Sequence, residues 1–285
     1  MKIAVIGLGL IGGSLARQFK KNTSHTVLGY DISEEVMLKA ELLGAIDERL
    51  DLSSPVDADV VFAALCPGAA IEVMERICPL LKPGAIVADT AGVKRDIVKK
   101  MGELSEKYPE ISFVGVHPMA GREFSGISHS TANLFEHAYI IITPVCAEIN
   151  AAEKVKDLFT EAVCQGITMA SAEEHDKIIA YTSQLAHVVS SAYMQNPVAE
   201  NYFGFSAGSF RDMTRVAKLS PDMWTELFGL NRDNLIPCID DIIFRLTSFR
   251  KAIASGDDGA LHAMLERGNE LKERAEKTRR ERKND

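Results

Sequence analysis

Short, unbroken runs of aliphatic residues alternate with stretches of helical spacing through the first half of the chain. Residues 3–6, 26–30, 59–64, 85–89, 112–116 and 138–142 are four to six residues long and rich in Val, Ile and Ala. Such length and composition predict strands buried on both faces. Between them, residues 11–19, 34–43 and 69–81 carry apolar positions three and four apart, the period of a helix with one buried side. Strands that alternate with helices predict a parallel sheet covered on both faces.

The pattern changes near residues 165–171. Ser171 followed by Glu174 predicts a capped helix start, and helical spacing then runs to about 194. Further helices are predicted at 208–219, 221–228, 232–255 and 259–277. Ile236, Ile239, Ile242, Ile243 and Leu246 lie too densely for a simple surface helix. They predict a homodimer through the C-terminal helices, with a self-contained bundle as the alternative. No internal repeat or low-complexity linker separates the two halves.

Composition changes this picture little. The 285 residues are 46% hydrophobic and 25% charged with a net charge of −8, which suits a soluble two-domain protein and offers no electrostatic footprint for nucleic acid. The basic cluster at 279–283 reads as a solvated helix end. The N-terminus runs from a strand straight into a glycine loop, unlike a signal peptide. The apolar stretch 178–194 is too short and too polar to span a membrane. The five cysteines are scattered and odd in number, as expected of reduced thiols in a cytoplasmic protein. No metal-ligand spacing is present, so no metal is expected.

The strongest motif is Gly7-Leu8-Gly9-Leu10-Ile11-Gly12, which fits G-x-G-x-x-G. It follows a predicted strand and opens a predicted helix, the context that makes it specific. Gly7 permits the tight turn, Gly9 admits a pyrophosphate to the backbone, and Gly12 lets helix and strand approach closely. The helix N-terminus presents free N–H groups to the phosphates. Asp31, at the end of the second predicted strand, can accept from the adenosine ribose hydroxyls and would repel a 2′-phosphate. No arginine follows it, so NAD rather than NADP is expected. The fold class is thus α/β, with a Rossmann-type dinucleotide-binding domain at 1–170 and an all-α dimerisation domain at 171–285.

Three later segments hold polar groups where a core would not want them: Gly115 to Glu123, Ser183 to His187, and Ser206 to Arg215. His117, at the end of a predicted strand beside a nicotinamide, is a candidate proton acceptor. With GLGLIGGS and with DTAGVK at 89–94, the segments GVHPMAGRE, SQLAH and FRDMTRVA resemble the prephenate/arogenate (cyclohexadienyl) dehydrogenase family of tyrosine biosynthesis. The resemblance runs from Gly7 to about Asn234. It implies oxidative decarboxylation of prephenate to 4-hydroxyphenylpyruvate with NAD, or of arogenate to tyrosine. It implies His117 as the catalytic histidine, His187 at the ring and cofactor end of the pocket, and Arg215 on a substrate carboxylate. Arg211 is expected to organise its segment through neighbours such as Asp212. Gln184 is a further expected lining residue.

One position departs from the family pattern. Many members carry a serine where this chain has Gly92, near the catalytic histidine. The hydroxyl contact is then absent, replaced by water, or supplied by Thr90. Lys94 fits the pattern and, since it opens the next helix, is read as structural. An acid for the ammonium group of arogenate is expected from Asp176 or Glu174. No chorismate mutase segment before Gly7 and no βαββαβ pattern after Asn234 is read, so inhibition by tyrosine would act at the active site. Two other readings are another dehydrogenase of a small acid, and a non-catalytic NAD-binding regulator.

Overall fold

The computed structural model of the chain describes residues 1–146 and 149–284. Side chains at 279, 280, 282 and 283, within the basic cluster, lie outside those described. The first half folds as β1 (Lys2–Ile6), α1 (Leu10–Asn22), β2 (Thr26–Tyr30), α2 (Glu34–Leu42), β3 (Glu48–Arg49), β4 (Val60–Ala63), α3 (Pro67–Ile77), β5 (Ile86–Asp89), α4 (Arg95–Lys107) and β6 (Ser112–Pro118). Then come β7 (Tyr139–Pro144), α5 (Ile149–Glu161) and β8 (Gly166–Met169). The strands form one sheet in the order β3-β2-β1-β4-β5-β6-β7-β8.

Alternation along β1 explains the two cores. Ile3 and Val5 face a cluster with Phe19, Phe62 and Phe159, whereas Ala4 and Ile6 face one with Met74, Ile97 and Phe113. The central strands β1, β4 and β5 are therefore largely apolar and buried on both faces, as a doubly covered sheet requires, whereas edge strand β3 (Glu48 and Arg49) is exposed. The sheet is not wholly parallel, which corrects the expectation from alternation. β6 and β7 pair antiparallel, with His117 opposite Ile141, and β8 runs parallel to β7. The cause is the connection 119–138, which holds only a three-residue turn of helix. A parallel neighbour needs a crossover to the far edge; this connection instead stays at the edge where β6 ends.

The predicted long helix after Ser171 is interrupted. α6 (Ala172–Ile179) passes into a π-turn at Ala180–Gln184 before α7 (Leu185–Met194). The Ser171 hydroxyl accepts from the Glu174 amide at 3.1 Å, as a capped start requires. α8 (Gly208–Thr214), α9 (Pro221–Leu230), α10 (Arg232–Ser255) and α11 (Asp258–Asn284) complete the chain. Two compact units result, Met1–Arg232 and Asp233–Asp285. All groups of the candidate site lie in the first.

Candidate active site

The glycine loop has the shape a dinucleotide needs. Gly7 has φ +89°, and a Cβ there would lie 2.6 Å from the Ala64 carbonyl oxygen. A Cβ on Gly12 would come within 1.9 Å of the Gly7 oxygen, so only glycine lets α1 start this close to the loop. Around Gly9, by contrast, a Cβ would meet nothing within 4 Å. The loop is packed where the protein needs contact and open where a pyrophosphate would approach. No side chain caps α1 and no acid lies in its first turn, so its N–H groups remain available to an anion. Leu8 is buried and Ile11 packs against the core, so the loop offers its backbone rather than these side chains. Leu10 opens α1.

Asp31 does more than face a ribose. Its carboxylate accepts from the Leu8 amide at 2.9 Å and from the Ser33 amide at 3.0 Å, bracing the loop from the end of β2. Each oxygen keeps acceptor capacity for a hydroxyl.

Next to this crevice, β5 and β6 deliver a second group. Asp89 and Lys94 form an ion pair at 2.5 Å that is wholly buried. Lys94 Nζ also donates to the Ala91 carbonyl at 2.8 Å, and Asp89 accepts from the Val116 amide at 3.1 Å. The 89–94 turn is thereby tied to the strand end that carries His117. That imidazole is half-buried; its Nδ1 lies 2.8 Å from His175 Nε2, and His175 Nδ1 lies 2.7 Å from Asp176 Oδ1. Burial first, then the neighbouring His175 and the Lys94 ammonium, holds the His117 pKa well below the ordinary histidine value. A Cβ on Gly92 would lie 3.9 Å from His117 Nε2 and 3.5 Å from Leu227, so the missing side chain opens space at the free nitrogen of the ring. Thr90 is buried beside Asp89.

The helical segment supplies the opposite wall. His187 Nδ1 donates to the Ser183 carbonyl at 2.8 Å, which leaves Nε2 as an acceptor. Its ring stacks on Trp224 at 3.7 Å between centroids. Burial lowers its pKa, opposed by the Ser183 bond, and nearby Arg215 lowers it further. Arg215 is exposed and donates to Glu123, in the loop after β6, at 3.0 Å. Trp224, Leu227 and Phe228 share one face of α9 and join the His187 wall to the Gly92 gap.

Several candidates sit elsewhere than expected. Gln184 is buried: it donates to the Leu227 carbonyl at 3.0 Å and accepts from Asn231 at 2.8 Å, so it holds α9 rather than facing open space. Asp176 accepts from the amides of Lys94 and Arg95 and from His175, which leaves nothing exposed to meet an ammonium group. Glu174 is exposed at the start of α6. Arg211 lines a separate open cleft of about 360 Å³ with Tyr202, Phe210 and Thr214. His175 and Trp224 were not among the expected groups. Trp224 is the single tryptophan of the chain, the one signal that could have pointed to it.

A loop shaped for a nucleotide, on the same sheet edge as a neutral imidazole with a free nitrogen, defines a nucleotide-dependent oxidoreductase. Comparison with known proteins narrows the class. The profile of the prephenate dehydrogenase nucleotide-binding domain matches residues 15–166, and that of the prephenate dehydrogenase dimerization domain matches 171–267. The chain belongs to the prephenate dehydrogenase family. It is 36% identical to the cyclohexadienyl dehydrogenase of Zymomonas mobilis, over 90% of this chain and 89% of that one. It is 33% identical to the prephenate dehydrogenase of Bacillus subtilis, over 90% of this chain and 71% of that protein. The A. aeolicus prephenate dehydrogenase, solved with hydroxyphenyl propionate and NAD+, superposes with a TM-score of 0.83 at 28% identity, covering 96% of this chain and 98% of that one.

Proposed function

We propose that the protein is an NAD-dependent dehydrogenase that oxidatively decarboxylates prephenate, with arogenate as a second substrate to be tested, in tyrosine biosynthesis. The observation that carries this is His117 on the dinucleotide edge, open at Nε2 beside Gly92, with burial holding its pKa below the ordinary histidine value so that the neutral form is favoured. NAD, which the Gly7–Gly12 loop and Asp31 would hold, would supply the acceptor for the hydride that leaves the ring carbon bearing the hydroxyl. His117 Nε2 accepts the hydroxyl proton while the carbonyl character develops, and returns it to the ring oxygen once carbon dioxide has left and the ring is aromatic. The proton is borrowed, so the base ends each turnover neutral. Aromatisation drives the reaction, and the residues are left with orientation and charge. Arg215 is assigned to a substrate carboxylate, which suits its planar fork. His187, backed by Trp224, bounds the ring, and Asp31 selects NAD. Thr90 remains the residue nearest in the chain to supply a hydroxyl at the Gly92 position.

The same reading gives a homodimer. Ile243, Phe244, Leu246 and Ile253 are exposed along α10, and Phe203 and Phe205 are almost fully exposed within the region matched by the dimerization profile. Division of labour at about residue 170 fits the two profiles, and five unpaired cysteines fit the reducing cytoplasm. Among the described residues no helix is long and apolar enough to cross a membrane.

The test is NADH formation with prephenate and arogenate offered separately, with NAD or NADP. Turnover with NAD is expected, and the ratio of efficiencies identifies the substrate. His117→Asn should lower turnover by about two orders of magnitude or more. No turnover of either substrate with NAD bound, or near-normal turnover of the folded variant, would overturn the reading.

A further inference from the structure

A histidine accepts a proton from substrate only in the tautomer that leaves the facing nitrogen bare, and the groups behind His117 choose that tautomer. The chain of bonds starts at an anion. Asp176 sits at the N-terminus of α4, where it accepts from the Lys94 amide at 2.7 Å, the Arg95 amide at 3.0 Å and Arg95 Nε at 3.2 Å. A carboxylate held by a helix N-terminus stays ionised and only accepts. His175 Nδ1, 2.7 Å from Asp176 Oδ1, must therefore carry a hydrogen. A neutral His175 then has a bare Nε2, 2.8 Å from His117 Nδ1. Two bare nitrogens do not bond, so the hydrogen of His117 is on Nδ1 and its Nε2 is left bare towards the Gly92 gap.

We propose that His175, oriented by Asp176, is a positioning residue that fixes His117 as the Nδ1–H tautomer and stabilises the imidazolium formed on it. This rests on His117 being the proton acceptor described above. When the substrate hydroxyl gives its proton to Nε2, the Nδ1–H bond to His175 strengthens and the Asp176 charge is felt through the intervening ring. The proton then leaves by the same nitrogen, so no hydrogen crosses from ring to ring and none is consumed. The charged groups facing the pair are Asp89 and Lys94 from the β5–α4 turn, Arg95 from α4 and Asp176 from α6. Asp89 and Lys94 neutralise each other, and Asp176 also pairs with Arg95. Burial keeps His175 neutral against the pull of Asp176.

The test has two arms on the full chain. Nitrogen-15 spectra of histidine-labelled wild type report the tautomer directly: Nδ1–H at His117 is expected, and Nε2–H would overturn the proposal without any variant. In the second arm, His175→Phe should lower kcat roughly tenfold to hundredfold, the range of general-base effects, with KM and NAD affinity within about twofold. His175→Gln, whose amide oxygen can accept from His117 Nδ1, should recover most of it. In a His117→Asn background His175→Phe should cost nothing further, because the two act as one unit. A lower Tm with kcat unchanged would reduce His175 to packing and overturn the proposal while leaving His117 in place. Normal turnover by His117→Asn alone would instead overturn the functional reading on which it rests.

Discussion

Lys94 holds the site from within the core, and its charge also helps to lower the His117 pKa. Its ammonium and the Asp89 carboxylate are both fully buried, and each is satisfied by the other and by backbone. Removing one partner strands a charge in the interior, which costs about 3–5 kcal/mol. Lys94→Ala should therefore lower the urea unfolding free energy by about that amount. A change below about 1 kcal/mol would show that the pair contributes little. The role of Lys94 was readable from its place at the start of a helix. That of His175 was not: in sequence it belongs to an acidic, solvent-like first turn, and its partner is 58 residues away. Asp176 misled for the same reason, since a carboxylate near a helix start looks available until the packing against α4 is known.

At the scale of elements, the legible part was the local part. Gly7, Gly9, Gly12 and Asp31 carry their meaning in one strand, one turn and one helix start. Gly12→Ala should weaken NAD binding about tenfold or more, because a methyl 1.9 Å from the Gly7 oxygen moves the loop; an unchanged affinity by calorimetry would contradict the close approach of helix and loop. The direction of β7 was not readable, because the connection 119–138 has no periodic signal of its own. α5 and β8 escaped notice beside the stronger helical pattern after them. The π-turn at Ala180–Gln184 likewise leaves no mark in spacing. It adds one residue to a turn and so rotates the helix beyond it, sending Gln184 to Asn231 while His187 meets Trp224.

For the whole molecule, exposed aliphatic and aromatic residues on α10 are what supports the proposed homodimer. Sedimentation equilibrium should give about twice the 31.2 kDa chain mass, and Phe244→Glu should shift the population towards single chains. A monomer in the unaltered protein would favour a self-contained bundle instead. The bond between His117 and His175 also sets an order of events during synthesis. The strands that carry the glycine loop, Asp31 and His117 end by Pro118, yet the partner of His117 lies 58 residues beyond it in the chain. At roughly 5–20 residues per second, 58 residues take about 3–12 s to emerge. A nascent chain can thus acquire its nucleotide edge several seconds before its base has a fixed proton, so binding and turnover ripen at different times on the ribosome.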